Sequence, residues 1–224
     1  MKSFVLFALG AGTAFSQPFT AGVKLGIPVT NYLGAVETAD VSFPSYTNRY
    51  LGGPTVELRL PFGLGIEVDA LYRHYYFQTN GSVTIPSGTI MLNARGSTND
   101  WEFPVLAKYR LPSKLVRPFL DAGIAWATLQ GFRQTETVVS PISIPAPADL
   151  NQPAHNTVKG AVIGGGLDIK APYGVHLSPE LRYTRWGDQH FLPNSNLPSQ
   201  FPVHSGIGLS SNQDQVEVLM GITF

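Results

Sequence analysis

The segment Gln215-Val216-Glu217-Val218-Leu219-Met220-Gly221-Ile222-Thr223-Phe224 constrains the fold more than any other. Val216, Val218, Met220, Ile222 and Phe224 fall on every second position. Gln215, Glu217, Gly221 and Thr223 fill the alternate positions, with Leu219 the only large apolar residue among them. A period of two belongs to an extended strand whose two faces meet different environments. An apolar face ending on an aromatic ring suits a strand seated in lipid, its last ring at the membrane–water boundary.

Composition narrows the alternatives. The chain has 224 residues, a formal net charge of zero and 13% charged residues, which gives no electrostatic reason to expect nucleic acid as a partner. Its 23 glycines and 18 prolines suit many strands joined by turns. The absence of cysteine excludes disulfide frameworks, thiolate metal sites and cysteine nucleophiles. It also excludes a lipidated N-terminal cysteine. Met1-Lys2, the apolar run Ser3–Leu9 and the small residues of Ala14-Phe15-Ser16 read as a secretory signal peptide over residues 1–16. Residues 17–224 are then expected to form one domain. No later stretch approaches the ~18 continuous apolar residues of a transmembrane helix.

Seven earlier segments repeat the pattern of the terminal one. Strands are expected near Phe19–Val29, Tyr50–Leu60, Leu64–Phe77, Asp100–Leu111, Val116–Leu129, Thr157–Lys170 and Val175–Trp186. Tight turns at Pro61-Phe62-Gly63, Pro112-Ser113-Lys114 and Ala171-Pro172-Tyr173-Gly174 alternate with four long segments, 30–48, 78–98, 130–155 and 187–212. Strict alternation of short turns and long loops over an even number of strands predicts an all-β fold: an eight-stranded antiparallel up-and-down transmembrane β-barrel. Lipid offers no hydrogen-bond partners, so a spanning sheet keeps no free edge. The last strand must therefore pair with the first.

One alternate set along these strands is apolar, as in Val23, Leu25, Ile27, Val56, Leu58, Ile66, Val68, Phe103, Val105, Leu120, Ile124, Ile163 and Leu181. Tyr72, Trp101, Tyr109, Trp126 and Tyr183 lie near strand ends on this face, where an aromatic girdle belongs. The opposite set holds Lys24, Glu57, Arg59, Glu67, Asp69, Arg73, Glu102, Lys108, Arg110, Asp121, Asp168, Lys170, Glu180, Arg182 and Glu217. Apart from Lys170 at a strand end, this set is expected to form an interior charge network. An eight-stranded barrel has room only for its own side chains or one small ligand, so the network predicts a plugged interior. Arg59, Arg110 and Arg182 are natural hubs, because a guanidinium bridges two carboxylates.

With its signal, its eight-strand rhythm, Pro179-Glu180-Leu181-Arg182-Tyr183 and the ending Leu219-Met220-Gly221-Ile222-Thr223-Phe224, the chain resembles the small bacterial outer-membrane barrels of the OmpA/OmpX type and the outer membrane protein beta-barrel domain group. The resemblance implies a bacterial outer-membrane location with the N-terminus in the periplasm. It also implies outer-membrane lipids and the barrel-assembly machinery as partners, with Phe224 as the insertion signal. The peptidoglycan-binding domain of the OmpA pattern has no counterpart after Phe224, so that function is not carried over.

Catalysis has one candidate. His176-Leu177-Ser178 resembles the His-x-Ser arrangement of outer-membrane lipid A deacylases, and Glu180 shares its face. The Asn and Gly residues of that motif do not follow Ser178, and the triplet points inward, away from acyl chains. His204-Ser205 is weaker, since adjacent side chains diverge in a strand. Gly164-Gly165-Gly166 lacks the spacing and helix of a nucleotide loop and is read as room for large neighbours. Asn80-Gly81-Ser82 is read as a turn. No cofactor and no metal site are expected. The long segments carry many apolar residues, among them Val83, Ile85, Ile90, Met91, Leu92, Val138, Val139, Ile142, Ile144, Phe191, Leu197, Phe201, Val203 and Ile207. They are expected to extend strands as hairpins and pack together, or to meet an extracellular partner. The reading is a non-enzymatic barrel with a structural or surface-interaction role. Its alternatives are a narrow porin-like channel, a lipid A-modifying enzyme, and a soluble lipocalin-type barrel with an apolar interior.

Overall fold

The computed structural model describes residues 19–34, 41–42, 45–47, 50–85, 88–139, 153–192 and 210–224. The expected signal peptide and His204-Ser205 lie outside them. Eight staves form one antiparallel sheet. They are β1 (Phe19–Pro28), β2 (Leu51–Arg59), β3 (Leu64–Asp69 continued by Leu71–Ile85), β4 (Gly88–Arg110), β5 (Val116–Val139), β6 (Thr157–Lys170), β7 (His176–Trp186) and β8 (Asp214–Thr223). The sheet closes as expected: β8 pairs with β1 from Gly22 opposite Thr223 to Pro28 opposite Glu217. Among the described residues no helix is long and apolar enough to cross a membrane.

The three tight turns gather at one rim. Two of them share a Pro-aromatic-Gly design, with Phe62 and Tyr173 at φ 64° and 63° and Gly63 and Gly174 at 79° and 80°. A left-handed aromatic costs about 1–2 kcal/mol, and both side chains project fully into the surroundings of the rim.

At the opposite rim the wall is uneven. Within the long segments 78–98 and 130–155, expected to extend strands as hairpins, residues 78–85, 88–98 and 130–139 are strand: β3 and β4 pair up to Ile85 opposite Gly88, and β5 follows β4 to Val139. Asn80-Gly81-Ser82 accordingly lies within β3 and is not a turn; Asn80 Oδ1 accepts from Gln78 and Asn93. Short pieces pair here too, Val41–Ser42 and Ser45–Thr47 with β3 and Leu33–Gly34 with Ser210–Ser211. Where β4 and β5 leave the barrel the register slips between Ser97 and Asn99, opposite Gly131 at φ 65°. A bulge adds one residue and reverses which alternate positions face inward. Leu129 below it and Phe132 above it therefore both reach the inside.

The faces divide as the pattern requires of a membrane barrel. Val23, Leu25, Ile27, Val56, Val68, Leu120, Ile124, Ile163, Leu181, Val218 and Met220 stand exposed on the outside, while the charged set is buried within. A water-soluble barrel would show the reverse, so the lipocalin-type alternative is overturned. Tyr72 and Trp101 pack at a tilt on the outer face toward the loop-bearing rim, with ring centroids 5.2 Å apart.

Candidate functional site: the lumen and its two ends

Because side chains alternate along every stave, each inward charge meets others from facing staves at the same height. Three layers result. Next to the turn-bearing rim, the Arg110 guanidinium bridges two carboxylates: Nε donates to Asp168 Oδ2 at 2.9 Å and Nη2 to Glu57 Oε2. His176 Nδ1 lies 2.7 Å from Asp168 Oδ1.

The middle layer ties five staves together. Lys24 Nζ of β1 donates to Glu180 Oε2 at 2.9 Å, to Asp69 Oδ2 at 3.2 Å and to Glu67. Arg182, wholly buried, donates from Nε to Glu180 Oε1 at 2.7 Å and from Nη2 to Asp69 Oδ2 at 2.9 Å. Lys108 reaches the other oxygen of Glu67 and lies 4.2 Å over the Phe119 ring. Thr55 Oγ1 donates to Asp69 Oδ1 at 2.6 Å. Taking these ions out of water costs several kcal/mol each, and the arrangement holds because nearly every charge has an opposite partner within hydrogen-bond reach. Asp121 is the exception: both of its buried oxygens lack a hydrogen bond.

Above this, Arg73 pairs with Glu217 and lies 3.6 Å from Glu102. Asp100 accepts from Tyr75 Oη at 3.1 Å. Apolar groups fill the space between layers: Leu51, Leu71 and Leu219 on one side, and Leu106, Ala125, Ala127, Val158, Val162 and Trp186 on the other.

An aromatic cap then closes the loop-bearing end. Tyr32 stacks on Tyr75 at 4.0 Å, and Phe77, Phe132 and Phe191 contact one another at 5.9 to 6.1 Å. Leu33 and Leu129 complete it. The backbone N–H of Asn212 donates to Tyr32 O at 2.6 Å, and that of Ser211 to Phe191 O at 3.1 Å, pinning three separate segments together. His190 is buried beside Tyr32 with Nδ1 2.7 Å from His155 O, and burial pushes its imidazole down to about 4.

Of the residues expected inside, Lys24, Glu57, Glu67, Asp69, Arg73, Glu102, Lys108, Arg110, Asp121, Asp168, Glu180, Arg182 and Glu217 are all buried in the lumen. Arg59 points the same way but is not the expected hub. It approaches Glu57 and Asp168 no closer than 3.9 Å: Arg110 holds the Asp168 oxygen nearest it, and Glu57, drawn to Arg110 through Oε2, leaves Oε1 beyond hydrogen-bond reach of Arg59 Nε. Lys170 is exposed, its strand having passed the turn-bearing rim. His176, Ser178 and Glu180 do not form a catalytic set: His176 is engaged by Asp168, Glu180 by Lys24 and Arg182, and no hydrogen bond joins His176 to Ser178. Asp100, Tyr75 and Thr55 were missed, although each shares the parity of a charged neighbour two positions away. The glycine run does make room: a Cβ at Gly164 would stand 2.4 Å from Asp121 Oδ1, and one at Gly166 2.1 Å from Pro179 O. Among the described residues no group of His, Cys, Asp or Glu is placed to hold a metal ion. Of the long-segment apolar residues, Phe191 joins the cap while Met91 and Val139 are exposed. The other named side chains of those segments lie outside the described residues.

A family model for the outer membrane protein beta-barrel domain matches residues 15–187. The chain belongs to that family. As a member of it, the protein is an outer-membrane β-barrel of the bacterial envelope. Among solved structures it is similar to the outer membrane protein OprG of Pseudomonas aeruginosa, with 11% identity, 92% of each chain covered and a TM-score of 0.54, a likeness of fold. Two further barrels align more loosely. One is the N-terminal barrel domain of Pseudomonas aeruginosa OprF, with 13% identity, 93% and 98% coverage and a TM-score of 0.38. The other is the attachment invasion locus protein Ail of Yersinia pestis, solved with a heparin analogue, with 9% identity, 93% and 100% coverage and a TM-score of 0.36. A search of curated proteins returned no match.

Proposed function

We propose that this family member is a non-catalytic, non-conducting barrel whose role is structural or in surface interaction. One observation carries the reading: ion pairs run from wall to wall across the lumen, Lys24 of β1 to Glu180 of β7 and Arg182 of β7 to Asp69 of β3, beneath an aromatic cap. A water-filled path would have to break several of these pairs at once. The turn-bearing rim, with the N-terminus, faces the periplasm, and the extended β3–β4–β5 wall stands outside the cell, where a partner would meet it. Outer-membrane lipids cover the apolar outer face, and the barrel-assembly machinery reads the terminal strand through Phe224. Recording from the refolded protein in planar bilayers tests the reading. Silence is expected, and discrete single-channel steps would replace it with a narrow channel for small solutes.

A further inference from the structure

The turn-bearing end of the lumen opens into a cavity of about 1180 Å³. That is at or above the size of an ordinary small-molecule pocket. Its floor is Arg59, Arg110 and His176, Arg117 stands at its mouth, and the first turn, with Leu60 and the exposed Phe62, borders it.

The cations of this floor are not equivalent. Each of the other inward cations of the described residues meets a carboxylate at hydrogen-bond distance. Arg59 alone stops at 3.9 Å from both of its neighbours, about 1 Å beyond a hydrogen bond. Its Nε is buried without a hydrogen bond, and a quarter of its side chain (25%) remains exposed. Asp168 cannot serve it, because Arg110 holds one oxygen and His176 the other. When His176 donates Nδ1–H to Asp168, its Nε2 is left to accept from Arg59 Nη1 at 3.4 Å. The guanidinium is thus held from below with donors unspent. Arg117 adds a second exposed cation, its Nε donating to Ser113 O. Three arginines against the carboxylates of Glu57 and Asp168 leave the cavity positive.

We propose that this vestibule binds a small organic anion, a carboxylate or phosphate monoester with an apolar body, with Arg59 presenting its planar fork to the anionic group. A guanidinium with free parallel donors matches either anion in bidentate geometry. Exposed apolar side chains at the mouth, Leu60, Phe62 and Leu111, border the space left for the rest of the molecule. The inference goes beyond the proposed function and is independent of whether the barrel conducts.

The test titrates the refolded barrel in nanodiscs with benzoate and, separately, phenyl phosphate. The arginine Nε–H resonances are followed by NMR. Saturable binding that moves the Arg59 resonance is expected for at least one probe. The probe that binds names the anion class: benzoate alone points to a carboxylate, phenyl phosphate alone to a phosphate ester. Arg59→Gln is expected to weaken binding about ten-fold or more, the loss of a charge-assisted pair. Arg59→Lys, which keeps the charge and loses the fork, should fall between. Arg185→Gln at the far rim should bind as wild type. Heat-modifiable migration checks that each variant folds. Should Arg59→Gln not fold, Arg117→Gln at the exposed mouth is expected to weaken binding several-fold. No saturable binding of either probe overturns the proposal, and so does wild-type affinity in the folded Arg59→Gln or, in its place, Arg117→Gln.

Discussion

The middle layer of the lumen and the aromatic cap close the same tube by opposite means. In the middle layer Lys24, Lys108 and Arg182 hold Glu67, Asp69 and Glu180 in a charge network drawn from facing staves. In the cap, rings from β3, β5 and two connecting segments stack on one another with few polar contacts. The network depends on directed, paired groups, so removing one member leaves others buried and alone. The cap depends on undirected apolar burial, so it should fail by loosening. The first is specific and brittle; the second is adaptable and sensitive to whatever puts charge inside it.

The largest effect should come from breaking the network. Arg182→Ala leaves Glu180 and Asp69 to share Lys24, with one buried negative charge in excess, and should cost ~3–5 kcal/mol. Urea titration of the barrel in lipid vesicles measures it. Adding Glu180→Gln alone should restore part of the loss, because one carboxylate then goes with the arginine while Lys24 keeps Glu67 and Asp69. If the double variant is no more stable than Arg182→Ala, the network contributes packing and not charge pairing.

A second test separates the inside from the outside at one height. Val218 faces lipid and Leu219 the lumen. Val218→Arg places a charge against the hydrocarbon and should cost ~2–4 kcal/mol in the same titration.

The cap is tested by acid. Burial holds His190 neutral down to about 4, well below an ordinary histidine. Once the cap opens the imidazole takes up a proton between pH 6.5 and 4, and the closed cap does not. Stability of the closed form is therefore complete above about pH 6.5 and declines as pH falls toward 4, by about 3 kcal/mol in all. The protection factor of the Phe191 amide, whose N–H donates to Ser211 Oγ, taken relative to the intrinsic exchange rate at each pH, should fall over that window while those of the Glu180 and Arg182 amides do not. His190→Leu should remove the pH dependence.

The smallest structural effect is expected at Gly164, where a Cβ meets the unpaired Asp121. Gly164→Ala should cost ~1–3 kcal/mol by overpacking, and Asp121→Ala should relieve it.

These two regions also differ in how much of them could be read from the chain. The network was legible because strand parity is strict: the charges of β3, Glu67, Asp69 and Arg73, all fall on one parity and fix which residues face inward without any knowledge of neighbours. Closure of β8 on β1 followed from the need to leave no edge in lipid. Partner choice was not legible. Arg59 and Arg110 both lie on inward faces, and only the stagger between staves decides that Arg110 takes both carboxylates. The cap was illegible for a different reason. Tyr32, Phe132 and Phe191 come from segments with no periodic signal, and Phe132 turns inward only because the bulge at Gly131 reverses parity above Leu129. The extension of β3, β4 and β5 beyond the barrel was foreseen as hairpins but not in extent, although Ile90, Leu92 and Ala94 alternate with Thr89, Asn93 and Arg95, a rhythm that Met91 interrupts.

The most direct test of the closed lumen uses the absence of cysteine from the chain. Thr55 is buried in the middle layer against Asp69, and Tyr173 projects from the turn-bearing rim. Thr55→Cys and Tyr173→Cys barrels, folded in detergent micelles, are treated with a charged, water-soluble thiol reagent. A plugged lumen predicts prompt labelling at Tyr173→Cys and none at Thr55→Cys until the barrel is unfolded. Labelling of Thr55→Cys in the folded barrel at the rate of the rim position would contradict it.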